Sequence, residues 1–361
     1  MSDPTPVTPE SSTGTHSVQD SYFEEADLAL IDALQAAPRA AWSQIGPALG
    51  MDATTAARRW ERLRANGLAW VTAYDSARTT TIAFVDIRCL PQHLDAVQAA
   101  ATALPWVYSV DAITGDFDLM LSVASADLPT LDRWLRRGIG SLPGVRSTRT
   151  TVGITLYGEG SEWSIRAMQR VRRAELSMPR PPGRTSYSTV EHNRLAPPDQ
   201  ALVDALGADG RLGFTALADA TGISEHTARR RLHRMIREGQ VTLRCDLAYP
   251  IAGLPTLAVY RMSVPHNALE VTGSELARLD NVRMCAAVSG PHNLLVQVLL
   301  HGLHGLDAFD TVLAERFPAL RVKDRTLVMY SAKRIGWLLD RRGRAIGRVP
   351  LGPGDYTPAT R

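Results

Sequence analysis

The chain repeats itself, and the repeat constrains its fold more than any other feature. Residues 27–67 align without a gap with residues 199–239 at a constant offset of 172, and 16 of the 41 pairs are identical. They include Asp27/Asp199, Asp32/Asp204, Arg39/Arg211, Gly50/Gly222, Thr55/Thr227, Arg58/Arg230, Arg59/Arg231, Arg62/Arg234 and Gly67/Gly239. Further along the offset becomes 175, joining Gly115 to Gly290, Leu119 to Leu294, Val123 to Val298, Leu131 to Leu306 and Pro143 to Pro318. One two-part module is written twice.

In the first part of each copy, Leu28, Ile31, Leu34, Ile45 and Leu49, or Leu202, Val203, Leu206, Leu217 and Ala218, recur at helical spacing and predict two helices. A turn at Gly50 or Gly222 follows, then Asp52 or Ser224 as the N-cap of a third helix that runs to Gly67 or Gly239. Helix, glycine turn and capped helix read as helix-turn-helix, whose last helix enters the major groove of DNA. Ala56, Trp60 and Leu63, with counterparts Ala228, Leu232 and Met235, form the inner face of that third helix. The outer face is basic. It carries Thr54, Thr55, Arg58 and Arg62 in the first copy and His226, Thr227, Arg229, Arg230 and Arg234 in the second. Arginine meets guanine edges and phosphate in bidentate fashion, and Thr can donate to the backbone or touch a thymine methyl, so these are the candidate DNA contacts. A solvated helix face can be equally Arg-rich, but the preceding glycine turn and its repetition favour DNA. Residues 68–72 and 240–243 then predict the first strand of a small wing.

In the second part, Thr81–Cys89 alternates like a strand, 94–104 is helical, 107–113 and 117–124 are strands about a tight turn, 128–139 is helical and 147–157 is a last strand. The order βαββαβ is ferredoxin-like, and the second copy repeats it from Thr256 to Ser331. The expected fold class is α+β, with two winged helix-turn-helix domains alternating with two ferredoxin-like domains. Boundaries are placed at 23–75 and 195–247 for the former and at 79–157 and 254–340 for the latter. The Ser/Thr/Pro-rich residues 1–22 are too polar to recover the entropy of folding and predict a disordered tail. Residues 158–194 predict a solvated linker, in which Trp163, Ile165, Arg166, Arg170, Arg172 and Arg173 could form a short basic helix, open to phosphate contact, that Pro179, Pro181, Pro182 and Gly183 stop; 341–361 predict a C-terminal tail.

With 45% hydrophobic and 21% charged residues, the rest of the chain can bury cores. Net charge is only +3, so any nucleic-acid footprint must come from local clustering. No apolar run approaches the roughly 20 residues of a membrane-spanning helix, and a cytoplasmic location with no membrane partner is expected. Cys89, Cys245 and Cys285 lack metal or redox spacing.

Together these features resemble the leucine-responsive/asparagine regulator (Lrp/AsnC) family of bacterial transcription factors. The most specific local sign is Thr114-Gly115-Asp116-Phe117-Asp118-Leu119, similar to the family's Gly-Asp-(aromatic)-Asp turn between the two central strands. The resemblance implies a DNA-binding regulator whose ferredoxin-like half takes an amino acid or related small metabolite. It places the effector at that turn, with Gly115, Asp116 and Asp118 in the first copy and Gly290 and Asn293 in the second. The alternative is a hairpin whose acids only cap local backbone N–H groups. The second copy reads Gly290-Pro291-His292-Asn293, and losing both acids weakens the case for amino-acid binding there. Family members dimerise, whereas this chain already holds two copies of each part, so an intrachain pseudo-dimer is expected, with assembly of further copies left open.

Two other readings stand beside this one. The family fold is similar to that of sirohaem decarboxylases, which pair two such modules and use His and Arg on a porphyrin-lined cleft. His93, His266, His292, His301 and His304 are available for such a role, yet no Gly-x-Ser-x-Gly, His-Glu-x-x-His or P-loop pattern occurs, and no enzyme activity is expected. The other is a metabolite-binding oligomerisation protein without DNA contact. His292, His301, His304 and Cys285 invite a zinc reading, but exposed turns and Gly-rich connections commonly carry histidine, and neither a metal nor a cofactor is expected.

Overall fold

The computed structural model describes residues 23–76, 81–177, 185–186 and 195–352. The expected tail 1–22, parts of the expected linker and residues 353–361 lie outside them.

The first module opens with α1 (Glu25–Ala36), α2 (Trp42–Ala48), α3 (Ala53–Ala65) and β1 (Ala69–Asp75). It continues with β2 (Thr81–Cys89), α4 (Leu94–Ala103), β3 (Val107–Ile113), β4 (Leu119–Ser125), α5 (Leu128–Trp134) and β5 (Val145–Gly158). Between the modules lie α6 (Arg170–Leu176) and the short β6 (Thr185–Ser186). The second module repeats the order as α7 (Pro197–Ala208), α8 (Phe214–Thr221), α9 (Glu225–Arg237), β7 (Val241–Leu247), β8 (Thr256–Ser263), α10 (Leu269–Leu276), β9 (Val282–Val288), β10 (Leu294–Leu300), α11 (Gly305–Arg316) and β11 (Arg321–Arg334). A hairpin of β12 (Trp337–Leu339) and β13 (Ala345–Arg348) ends it.

The ferredoxin-like sheets are β3-β4-β2-β5 and β9-β10-β8-β11, and β5 also pairs with β9 while β11 pairs with β3. These eight strands therefore close into a ring, which removes both sheet edges of each module. The closure follows from length. At 14 residues, β5 and β11 are twice as long as β3 or β4. One half of β5 bonds to β2 and the other to β9, and β11 divides in the same way between β8 and β3. Helices α4 and α5 cover one apolar core outside the ring and α10 and α11 another. Inside, Phe84, Met120, Leu257 and Met284 continue the core of the first helix-turn-helix.

Among the described residues the expected wings do not form. The strand after each third helix pairs with its own counterpart: β1 and β7 run antiparallel over their full length, with Thr72 opposite Arg244, its equivalent at the repeat offset. Every residue of β1 is buried, so this ribbon joins the two halves and is no free backbone-contacting flap. Nearby, Arg39 donates to the carbonyls of Gly210 (2.6 Å) and Leu212 (2.9 Å), while Arg211 returns the bonds to Pro38 (2.7 Å) and Ala40 (2.9 Å).

At the ring's seam the repeat is inverted in charge. Asp86 meets Arg261, its own equivalent, at 2.7 Å with both side chains buried. Arg149 binds Asp86 at 2.8 Å, and its equivalent Asp324 binds Arg261 at 3.1 Å. The first module supplies the acid at one position and the base at the next; the second reverses them.

Two connections depart from expectation. Residues 161–176 are a docked strap, not a solvated linker. Trp163 is buried and donates to Asp280 O, the Ile165 N–H bonds Gln35, and the buried Asp32 carboxylate receives the Met168 N–H at 2.8 Å and Arg173 at 2.7 Å. A carboxylate buried inside a helix needs such donors, and the strap supplies them. Likewise 341–352 is not a loose tail: β13 pairs with β12, and the Ala345 N–H bonds Gly67 O just after α3.

Candidate nucleic-acid interface and effector turns

Each third helix starts where its sequence allows. Gly50 and Gly222 adopt φ of 71° and 68°, left-handed values that suit glycine. Asp52 accepts the Thr55 N–H at 2.8 Å and Ser224 accepts that of Thr227 at 3.2 Å. The Thr55 and Thr227 hydroxyls also bond these caps, so both threonines are part of the helix start. Ala56, Trp60 and Leu63, and Ala228, Leu232 and Met235, are buried.

The expected contact residues divide into two groups. Arg62 and Arg234 are held by carboxylates of the first helix of their unit: Arg62 with Arg59 on buried Asp27, and Arg234 with Arg231 on Asp199. These clasps pin the third helix to the first. Arg229 turns aside and stacks over Phe214 at 4.2 Å from the ring centroid. Thr54, Arg58, His226 and Arg230 remain exposed, and Arg58 and Arg230 stand at equivalent positions with no ion pair among the described residues.

The turns expected to hold an effector lie on the seam between modules. The Thr114 N–H bonds Leu327 O and its hydroxyl accepts the Leu327 N–H; Ser289 makes the same pair of bonds with Val152. Gly115 and Gly290 have φ of 100° and 99°. Asp118 accepts the Cys89 N–H at 2.7 Å, and Asn293, its equivalent, accepts the Val264 N–H at 3.0 Å and donates to Val264 O at 2.7 Å. Asp118 and Asn293 thus cap the adjoining strand's end, which explains how Asn replaces Asp without loss of structure. Asp116 is almost fully exposed, 3.7 Å from Arg88. Asp116 and Asp118 therefore do not converge on a shared buried site.

A larger concavity was not foreseen. Between the helix-turn-helix pair and the ring lies a cavity of about 750 Å³, lined among others by Arg244, Arg283 and Arg334. The available signal was arginine inside otherwise apolar strand runs, as at Arg283 between Val282 and Met284. Of the histidines, His301 Nδ1 lies 2.9 Å from Gly253 O, and no group of three metal-ligating side chains occurs among the described residues. Among those residues, no helix is long and apolar enough to cross a membrane.

Comparison with known proteins matches residues 24–64 and 198–236 to the AsnC-type helix-turn-helix domain and residues 82–160 to the Lrp/AsnC ligand binding domain. An HTH-type transcriptional regulator of Pyrococcus abyssi is 28% identical over 152 residues, 41% of this chain and 96% of the relative. One from Pyrococcus horikoshii is 26% identical over 153 residues, again 41% of this chain and 96% of the relative. Each relative therefore spans one module. The siroheme decarboxylase NirDL, solved with an iron-uroporphyrin III analogue, shares the two-module fold at 14% identity and a TM-score of 0.55, covering 86% of this chain and 93% of that one.

Proposed function

The chain belongs to the Lrp/AsnC family of transcriptional regulators, and from that membership we propose that it reads duplex DNA with α3 and α9 together, as a dimer contained in one chain. The observation that carries this is the pair of exposed arginines, Arg58 and Arg230, without an ion pair among the described residues, at equivalent places on two capped helices locked together by Arg39, Arg211 and the β1–β7 ribbon. Thr54, Arg58, His226 and Arg230 are assigned to the DNA face. Arg62 and Arg234, held by aspartates yet about two-fifths exposed, are assigned to phosphate. Footprinting tests this: Arg58→Ala with Arg230→Ala should abolish protection at sites the parent chain protects, and an unchanged footprint would refute the assignment.

A small metabolite held by the ferredoxin-like half is the second part of the proposal. An amino acid at Gly115, Asp116 and Asp118 remains the reading the family suggests, although Asp118 already spends one oxygen on Cys89. A two-module enzyme is supported only by the shared fold, and it leaves the exposed arginines of α3 and α9 without a purpose.

A further inference from the structure

The cavity between the helix-turn-helix pair and the ring gathers buried arginines from three strands. Of the five arginines that line it, Arg39 and Arg229 are the more open, while Arg244 from β7, Arg283 from β9 and Arg334 at the end of β11 are each less than a tenth exposed. Among the described residues only Arg244 has a carboxylate within ion-pair distance, Asp246 at 2.6 Å, and Arg283 and Arg334 help to hold that buried carboxylate charged. Arg283 has Tyr249 Oη at 3.3 Å and Gln297 Oε1 at 3.1 Å. Arg334 donates to Leu247 O at 3.2 Å and lies over the Tyr249 ring, which Arg283 also approaches. Among the described residues, neither has an acid within ion-pair distance. A second buried acid on this wall, Asp111, bonds Ser331 at 2.6 Å; burial pushes its carboxyl up, while that bond and the charges of Arg334 and Arg283 work the other way. Glu159, Glu162 and Glu175 also line the cavity.

Arg283 and Arg334 feel Asp246 and Asp111 electrostatically but neither closes an ion pair of its own among the described residues, so two buried guanidiniums beside one aromatic ring keep donors to offer an anion. Ile82, Phe84, Leu257 and Met284 give the same cavity apolar lining. The volume falls within the range of small-molecule sites. We propose that this cavity binds an organic acid, its carboxylate between Arg283 and Arg334 and its apolar body against Ile82, Phe84 and Leu257. The inference rests on the regulator reading for its consequence only. Arg229, His233 and Ile236 of α9 line the same cavity, so an occupant touches the inner side of a helix whose outer side carries Arg230.

A pair of probes sharing one aromatic skeleton tests the site. 8-Anilinonaphthalene-1-sulfonate carries the anion and N-phenyl-1-naphthylamine does not, and both fluoresce on leaving water. The sulfonate should bind the full-length chain saturably at one per chain and be displaced by 1-naphthoate. Arg283→Gln with Arg334→Gln should weaken it at least tenfold while leaving the neutral probe's affinity unchanged. Equal sulfonate affinity in parent and variant, no saturable binding to the parent, or equal loss of both probes would overturn the proposal. DNA binding by the parent without either probe is measured separately, so failure of the regulator reading is distinguishable from failure of the site.

Discussion

Arg58 and Arg62 sit one turn apart on α3, yet their surroundings give them different work, and Arg230 and Arg234 repeat the contrast on α9. Arg230→Ala removes a side chain with no ion pair among the described residues, so stability should hold while affinity for the preferred site falls by about 1–3 kcal/mol and base choice there relaxes. Arg234→Ala instead takes one of two guanidiniums from buried Asp199, and denaturant unfolding should register a loss of about 2 kcal/mol, a charged hydrogen bond's worth. Equal melting of the two variants would contradict the division. Lys333 offers a pH test. It is fully buried with its ammonium on Leu104 O, and burial pushes it down to about 7 from an ordinary 10.5. Between those values the unfolded chain binds the extra proton, so this residue's contribution to stability rises with pH across that window. Lys333→Met should therefore be more stable than the parent at pH 7 and below, with an advantage that shrinks as pH climbs toward 10.5. A constant difference across that range would show that Lys333 is not titrating as described.

Among the elements, helices were legible because their signals are local. The spacing of Ala56, Trp60 and Leu63, the cap at Asp52 and the turn at Gly50 lie within a dozen or so residues, and the structure places all of them in those roles. The ferredoxin-like strands were legible as apolar runs for the same reason. Their partners were not: β1 looks like a wing until β7, some 170 residues away, supplies its other strand. The strap was misread because its polarity is real but its donors point inward, to Asp32 and Gln35 of α1. The cavity's charge was invisible because Arg244, Arg283 and Arg334 come from three strands that only folding brings together. Asp32→Ala should release the strap, which limited trypsin digestion would report as faster cleavage at Arg170, Arg172 and Arg173. Unchanged cleavage would mean that Trp163 and Gln35 alone hold it.

For the whole molecule, the inverted charges at the seam decide which surfaces can pair. Two first modules meeting this way would oppose Asp86 with Asp86, and two second modules Arg261 with Arg261, whereas the intrachain pairing places acid on base. Asp86→Arg should cost about 3–5 kcal/mol, because it sets like charges together where water cannot screen them. Restoring stability should require reversing all four residues, since Arg149 and Asp324 flank the pair; full recovery by exchanging Asp86 and Arg261 alone would contradict the network. A chain built to pair its own unlike halves presents unlike reading helices, with Thr54 on one where His226 stands on the other. That one chain reads duplex DNA with both is tested most directly by selecting bound sequences from a randomised duplex pool. An imperfect inverted repeat with two distinct half-sites, lost in Arg58→Ala with Arg230→Ala, is the predicted result; a perfect inverted repeat, or no enriched sequence at all, would contradict it.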